Sequence, residues 1–102
     1  MEVAAKCEGR ELELFLQGEL DHHGAKGLLQ RLDREIETAL PLRLTLDFSA
    51  VTFMDSSGIG LIIGRYKILK RRGGQMAIHS GNRRVDRILQ LSGLYEIIER
   101  LA

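Results

Sequence analysis

The stretch Phe53-Met54-Asp55-Ser56-Ser57-Gly58-Ile59-Gly60-Leu61-Ile62-Ile63-Gly64-Arg65-Tyr66-Lys67 changes its period in the middle. Phe48 to Phe53 leads in as an apolar, strand-like run, and after Ser57 the apolar residues recur at three and four, as on a helix. A strand that turns directly into a helix is the joint of a βα unit, and the carboxyl end of the strand in such a unit is the favoured place for function. Fold and site are therefore both read outward from Asp55.

Upstream, Leu42, Leu44, Leu46 and Phe48 alternate with Arg43, Thr45 and Asp47, the pattern of a strand with one buried face. Pro41 ends the preceding segment, where Leu28, Leu29, Leu32, Ile36, Ala39 and Leu40 mark an amphipathic helix with Asp21 as its N-cap. Before it, Leu12, Leu14 and Leu16 alternate within Glu11 to Gln17, and a short strand over Val3 to Cys7 pairs with that segment through Glu8-Gly9-Arg10.

Downstream, the helix runs from about Ser57 to Arg72 and is closed by Gly73-Gly74, with Lys70, Arg71 and Arg72 as cations at the negative end of the dipole. Gln75 to Ser80 reads as a strand with Met76 and Ile78 inward, and Asn82 to Leu91 as a helix carrying Val85, Ile88 and Leu89, with Gly93 as its C-terminal cap. The tail from Leu94 fits a strand and a helical turn equally well. The order predicts an α/β fold: a mostly parallel sheet of four to five strands after an opening hairpin, with right-handed crossovers and helices mainly on one face.

The length of 102 residues suits a single domain over residues 1–102. Hydrophobic residues at 44%, charged residues at 28% and a net charge of +1 argue for a globular chain and against disorder or nucleic-acid binding. No apolar run approaches the roughly 18 residues that would span a bilayer, and Met1-Glu2-Val3-Ala4 lacks a basic segment followed by an apolar one. A cytoplasmic location with no membrane partner is expected. Cys7 has no second cysteine to pair with and reads as a small apolar strand residue. His22 and His23 are adjacent, so they point apart, and no third ligand accompanies them; no metal site is expected.

Three chemistries are tested at the Asp-Ser-Ser-Gly break. Gly58, Gly60 and Gly64 are one residue too widely spaced for a dinucleotide fingerprint, and no triphosphate loop is present, so no nucleotide cofactor is expected. A serine-nucleophile hydrolase would need a nucleophile elbow and a base, but Met54-Asp55-Ser56-Ser57-Gly58 is not an elbow and no spacing sets a histidine beside Ser57. Helix capping explains one serine, and Ser56 is the expected cap.

A helical projection addresses the other. Ile59, Ile62, Ile63, Tyr66 and Leu69 form the expected core stripe, whereas Ser57, Leu61, Gly64 and Ile68 fall opposite as an outward row. That row reads as a docking ridge headed by Ser57 and Asp55. Leu61→Glu is accordingly expected to weaken docking with little loss of stability. A phosphate on Ser57 would add about −1.5 to −2 charges at a helix N-terminus.

The motifs Gly18-Glu19-Leu20-Asp21-His22-His23, Asp47-Phe48, Phe53 to Gly60, Gly64-Arg65-Tyr66-Lys67, Gly73-Gly74 and Leu91-Ser92-Gly93-Leu94 cover nearly the whole chain in order. By them the chain resembles the sulfate transporter and anti-sigma antagonist (STAS) domain family, and within it the anti-sigma F factor antagonists of endospore-forming bacteria. The resemblance implies a sheet with helices mainly on one side and a non-enzymatic, partner-switching role. The unphosphorylated protein would bind an anti-sigma factor that is also an ATP-dependent serine kinase, releasing the sigma factor. The kinase would phosphorylate the second serine of the motif, Ser57, and a PP2C-type serine phosphatase would reverse it.

The resemblance adds Asp21 to the surface read from the helical row, so the expected partner surface holds Asp21, His22, Asp55, Ser56 and Ser57, with Gly58, Ile59, Leu61, Gly64 and Ile68 along the helix. The chain alone is expected to be a monomer. An antagonist acting on another sigma factor, such as a general stress-response one, is the nearest alternative. Sporulation members of the family continue past the Ser-Gly-Leu segment into a further helix that does not appear before Ala102, so Ile97 and Ile98 are expected to close the sheet or cover the core.

Overall fold

Every alternating segment becomes a strand in the computed structural model, which describes residues 1–101. β1 (Glu2–Glu8) and β2 (Glu11–Leu20) form the opening hairpin, and Gly9 takes a φ of 62° in the two-residue turn, a conformation glycine adopts without a Cβ clash. Then follow α1 (His22–Ala39), β3 (Arg43–Met54), α2 (Ser56–Arg71), β4 (Gln75–His79) and α3 (Arg83–Leu91). A 3-10 turn, Leu94–Glu96, leads to a short β5 (Glu99–Leu101).

The sheet has five strands in the order β1-β2-β3-β4-β5, antiparallel between β1 and β2 and parallel thereafter. Because each right-handed crossover steps in the same direction, all three helices lie on one face. Register explains the core beneath them. Leu12, Leu44 and Met76 form one cross-strand row, Leu14, Leu46 and Ile78 the next. These rows share one cluster with Leu28, Leu32 and Ile36 of α1, Ile62 and Leu69 of α2, and Val85 and Leu89 of α3. On the opposite face Arg43 reaches across the small Ala77 of β4 to hold the Glu99 carboxylate of β5 at 3.1 and 3.3 Å.

The structure refines several expectations. β3 is one strand of 12 residues that takes in the Phe48 to Phe53 run and ends at Met54. Two irregularities in its pairing with β2 insert an extra residue each, so Phe48, Val51 and Met54, spaced by three, all point into the core. Leu42, placed in the inward set, is 45% exposed and lies before the strand. Arg72 caps α2 through its backbone, its amide donating to the Leu69 carbonyl at 3.0 Å, while its guanidinium turns away to bond Glu37 of α1 at 2.6 Å. Asn82 stands outside α3 as the N-cap, its side chain accepting from the amides of Arg84 and Val85. In the tail, Ile98 is buried in the core, whereas Ile97 is exposed. Cys7, on edge strand β1, is exposed.

Candidate functional site

Two βα joints lie side by side. Leu20 and Met54, the last residues of β2 and β3, are register partners, and the Asp55 amide donates to the Leu20 carbonyl at 3.3 Å. Each strand is followed by an aspartate that caps the next helix: Asp21 Oδ1 accepts from the Gly24 amide at 2.7 Å, and Asp55 Oδ1 from the Ser57 amide at 2.8 Å. Asp21-His22-His23-Gly24 and Asp55-Ser56-Ser57-Gly58 are thus equivalent turns, with the N-termini of α1 and α2 emerging next to each other.

The glycine that ends each motif permits this packing. A Cβ on Gly24 would come within 2.5 Å of the Glu19 carbonyl oxygen, and one on Gly58 within 2.6 Å of Met54 Cγ and 2.9 Å of Leu20 Cδ2. Gly58 is buried for that reason, so it forms part of the scaffold under the site. Asp55, not Ser56, caps α2, because its carboxylate reaches the Ser57 amide; Ser56 is left exposed.

Ser57 is half-buried and opens on a groove of about 320 Å³ between α1 and α2. His22, Lys26 and Leu29 line it from α1, and Gly60, Leu61 and Arg65 from α2. Asp21 and Asp55 stand at its head as the two caps. Gly60 and Gly64 have no atom within 4 Å of a built Cβ, so the surface is bare beside them.

The outward ridge is corrected. Leu61 is 7% exposed and belongs to the core cluster. Gly64 and Ile68 are half-buried, and Ile59, Ile63 and Tyr66, assigned to the core stripe, only pack against its edge. At 100° per residue the buried side of α2, centred on Gly58, Leu61, Ile62 and Leu69, is rotated by about 80° from the predicted stripe. The cause is α1, which packs along α2 and covers the flank that a lone helix would leave to solvent.

Arg65 faces that covered flank, and its side chain is 12% exposed. Its Nε lies 3.1 Å from Asp33 Oδ1 of α1 but off the N–H direction, so Nε and Nη1 have an ionic neighbour and no directed hydrogen bond. Lys26 has no carboxylate within 4 Å among the described residues. No hydrogen bond joins Ser57 to His22 there, and no cluster of three metal-ligating side chains is found there. No helix of the described residues is long and apolar enough to cross a membrane. A larger cleft, about 780 Å³, lies between the β1–β2 edge and α1 and contains neither serine.

Two groups with shifted pKa values lie towards the β5 edge of the sheet. Asp86 of α3 accepts from Tyr95 Oη at 2.7 Å and Ser80 Oγ at 3.1 Å and pairs with Arg100. The Tyr95 hydroxyl, followed by Ser80 and Arg100, holds the Asp86 carboxyl below its ordinary range against the opposing effect of burial. Burial, reinforced by Asp86, pushes the Tyr95 hydroxyl up to about 12.

Lys26, Leu29 and Arg65 escaped the sequence reading as groove residues. One signal was available: Asp-x-x-Gly occurs twice, each time directly after a strand. Parallel neighbours carrying the same turn bring the first turns of their helices together, which makes the facing residues of α1 and α2 candidates.

The STAS domain family matches residues 2–102. An anti-sigma F factor antagonist of Paenibacillus polymyxa is 41% identical over 83 residues, 81% of this chain and 71% of that protein. An anti-sigma-B factor antagonist of Bacillus subtilis (strain 168) is 30% identical over 97 residues, 95% of this chain and 87% of that protein. Among solved structures, the anti-sigma factor antagonist SpoIIAA in its unphosphorylated form is similar at a TM-score of 0.82 and 25% identity, over 99% of this chain and 89% of that one.

Proposed function

We propose, from the premise that this chain belongs to the STAS domain family, that it is an anti-sigma factor antagonist switched by phosphorylation of Ser57. Unphosphorylated, it binds an anti-sigma factor that is also a serine kinase and so frees the sigma factor. The kinase then modifies Ser57, and a PP2C-type phosphatase restores it. The role is one of binding in the cytoplasm, as a monomeric single domain that turns over no substrate of its own. The relative at 41% identity favours sigma F as the factor controlled; the 30% relative keeps a stress-response sigma factor as the second reading.

The observation that carries the proposal is the position of Ser57. Its amide is fixed by Asp55 while its side chain opens on a groove at the helix N-terminus. A rigid backbone under a reachable hydroxyl is what a kinase requires. A phosphate there adds about −1.5 to −2 charges without any need to refold the helix. If it removes about 3 kcal/mol of docking free energy, affinity falls more than a hundredfold. Asp21, His22, Asp55, Ser56 and Gly60 surround the hydroxyl and form the partner surface, with Gly64 and the accessible edges of Ile59 and Ile68 further along α2.

Incubation with ATP and the cognate anti-sigma kinase, followed by mass spectrometry of the peptide containing Ser57, tests the switch. Phosphate on Ser57 is expected, and Ser57→Asp is expected to weaken docking at least tenfold. Phosphate on Ser56 alone, or nowhere, would overturn the proposal.

A further inference from the structure

We infer that the groove between α1 and α2 is an internal receptor for the phosphate on Ser57, with Lys26 as the cation that meets it. The inference rests on the modification of Ser57 proposed above and adds where the phosphate goes. The two amides nearest the hydroxyl are already engaged: Ser57 donates to the Asp55 carboxylate at 2.8 Å and Gly58 to the Asp55 carbonyl at 3.0 Å. They are not free to receive a new anion, and the Asp55 carboxylate repels it. Compensating charge must come from across the groove.

Three side chains there carry or acquire positive charge. Arg65 is already committed to Asp33 and lies two helical turns beyond Ser57. His22, in the first turn of α1, is charged only when protonated. Lys26 remains, exposed and without an ion-pair partner among the described residues. Its flexible four-carbon stem delivers a compact ammonium to a phosphate as a point charge. Gly60, one turn after Ser57, leaves open space beside the hydroxyl. Leu61 and Leu29 form apolar walls beside it, which offer the phosphate no competing polar partner. A phosphate held there bridges α1 and α2 and occupies part of the groove, so a partner meets an altered surface with its free cation consumed.

The test uses the full chain with phosphoserine installed genetically at position 57, which removes any dependence on a kinase. A failure of the kinase assay and a failure of the receptor are then separate results. The phosphate is titrated by 31P NMR in the parent phosphoprotein and in Lys26→Gln and Lys67→Gln, Lys67 being on the exposed side of α2. The parent is expected to titrate about 0.5 pH unit below the value of about 6 for free phosphoserine. Lys26→Gln is expected to reverse most of that shift and Lys67→Gln to leave it unchanged. A parent phosphate that titrates like free phosphoserine, or a shift that Lys26→Gln leaves in place, would overturn the inference.

Discussion

Leu61 sits in the seam between α1 and α2, so shortening it leaves a void that two helices cannot both close. Leu61→Ala is expected to cost about 2–4 kcal/mol in urea denaturation, and Leu61→Glu more, because it buries a carboxylate beside apolar atoms. A Leu61→Glu chain as stable as the parent would return the residue to the surface. The projection misplaced Leu61 because of Arg65. An arginine ordinarily marks solvent, and here it lies near the middle of the buried side, its guanidinium tucked against Asp33 of α1. That ion pair joins residues 32 positions apart in sequence, so no local pattern reveals it. Ser57 itself was legible, because the change of period isolates it. What faces it was not, since Lys26 belongs to another helix.

The two βα joints differ in what crowds their glycines, and the difference is measurable. A methyl on Gly24 meets the backbone oxygen of Glu19, which is fixed by the sheet; a methyl on Gly58 meets the flexible ends of Met54 and Leu20. Gly24→Ala is therefore expected to lose about 2–3 kcal/mol and Gly58→Ala about 1–2 kcal/mol, compared by thermal or urea unfolding. Equal losses would show that Met54 cannot give way. Most elements followed from alternation and from helical spacing, as the Leu12-Leu14-Leu16 and Leu44-Leu46-Phe48 rows show. The inward face of β3 beyond Phe48 did not, because its bulges reset it from every second residue to every third. The capping aspartate of α1 was read correctly. That of α2 was hidden behind a serine that suited the role equally well.

Across the whole molecule, the hydrogen bonds of Asp86 join α3 to the last turn and to β5. The folded-state pKa of Asp86 is lowered, so its contribution to stability is present above the unfolded value of about 4 and is lost as pH falls below it. Tyr95 acts at the other limit: with its folded pKa raised to about 12, its contribution is complete below about 10 and is lost as pH rises from there towards 12. Urea denaturation across pH 3–7 is expected to show a shallower acid decline in Asp86→Asn than in the parent. Absorbance at 295 nm is expected to show a tyrosine ionisation at about 12 in the folded parent that Tyr95→Phe removes. Identical acid slopes would remove Asp86 from the acid response.

The strands lie in the sheet in the order in which they occur in the chain. Each new strand finds its neighbour already formed, so assembly needs no late threading and keeps loop-closure entropy low at every step. On a ribosome the sheet can grow from its first edge outward, one βα unit at a time. The Ser57 turn is complete once α2 has packed on α1 and β4, before α3 and β5 have emerged. A nascent chain can therefore present the Ser57 hydroxyl while its final strand is still being made.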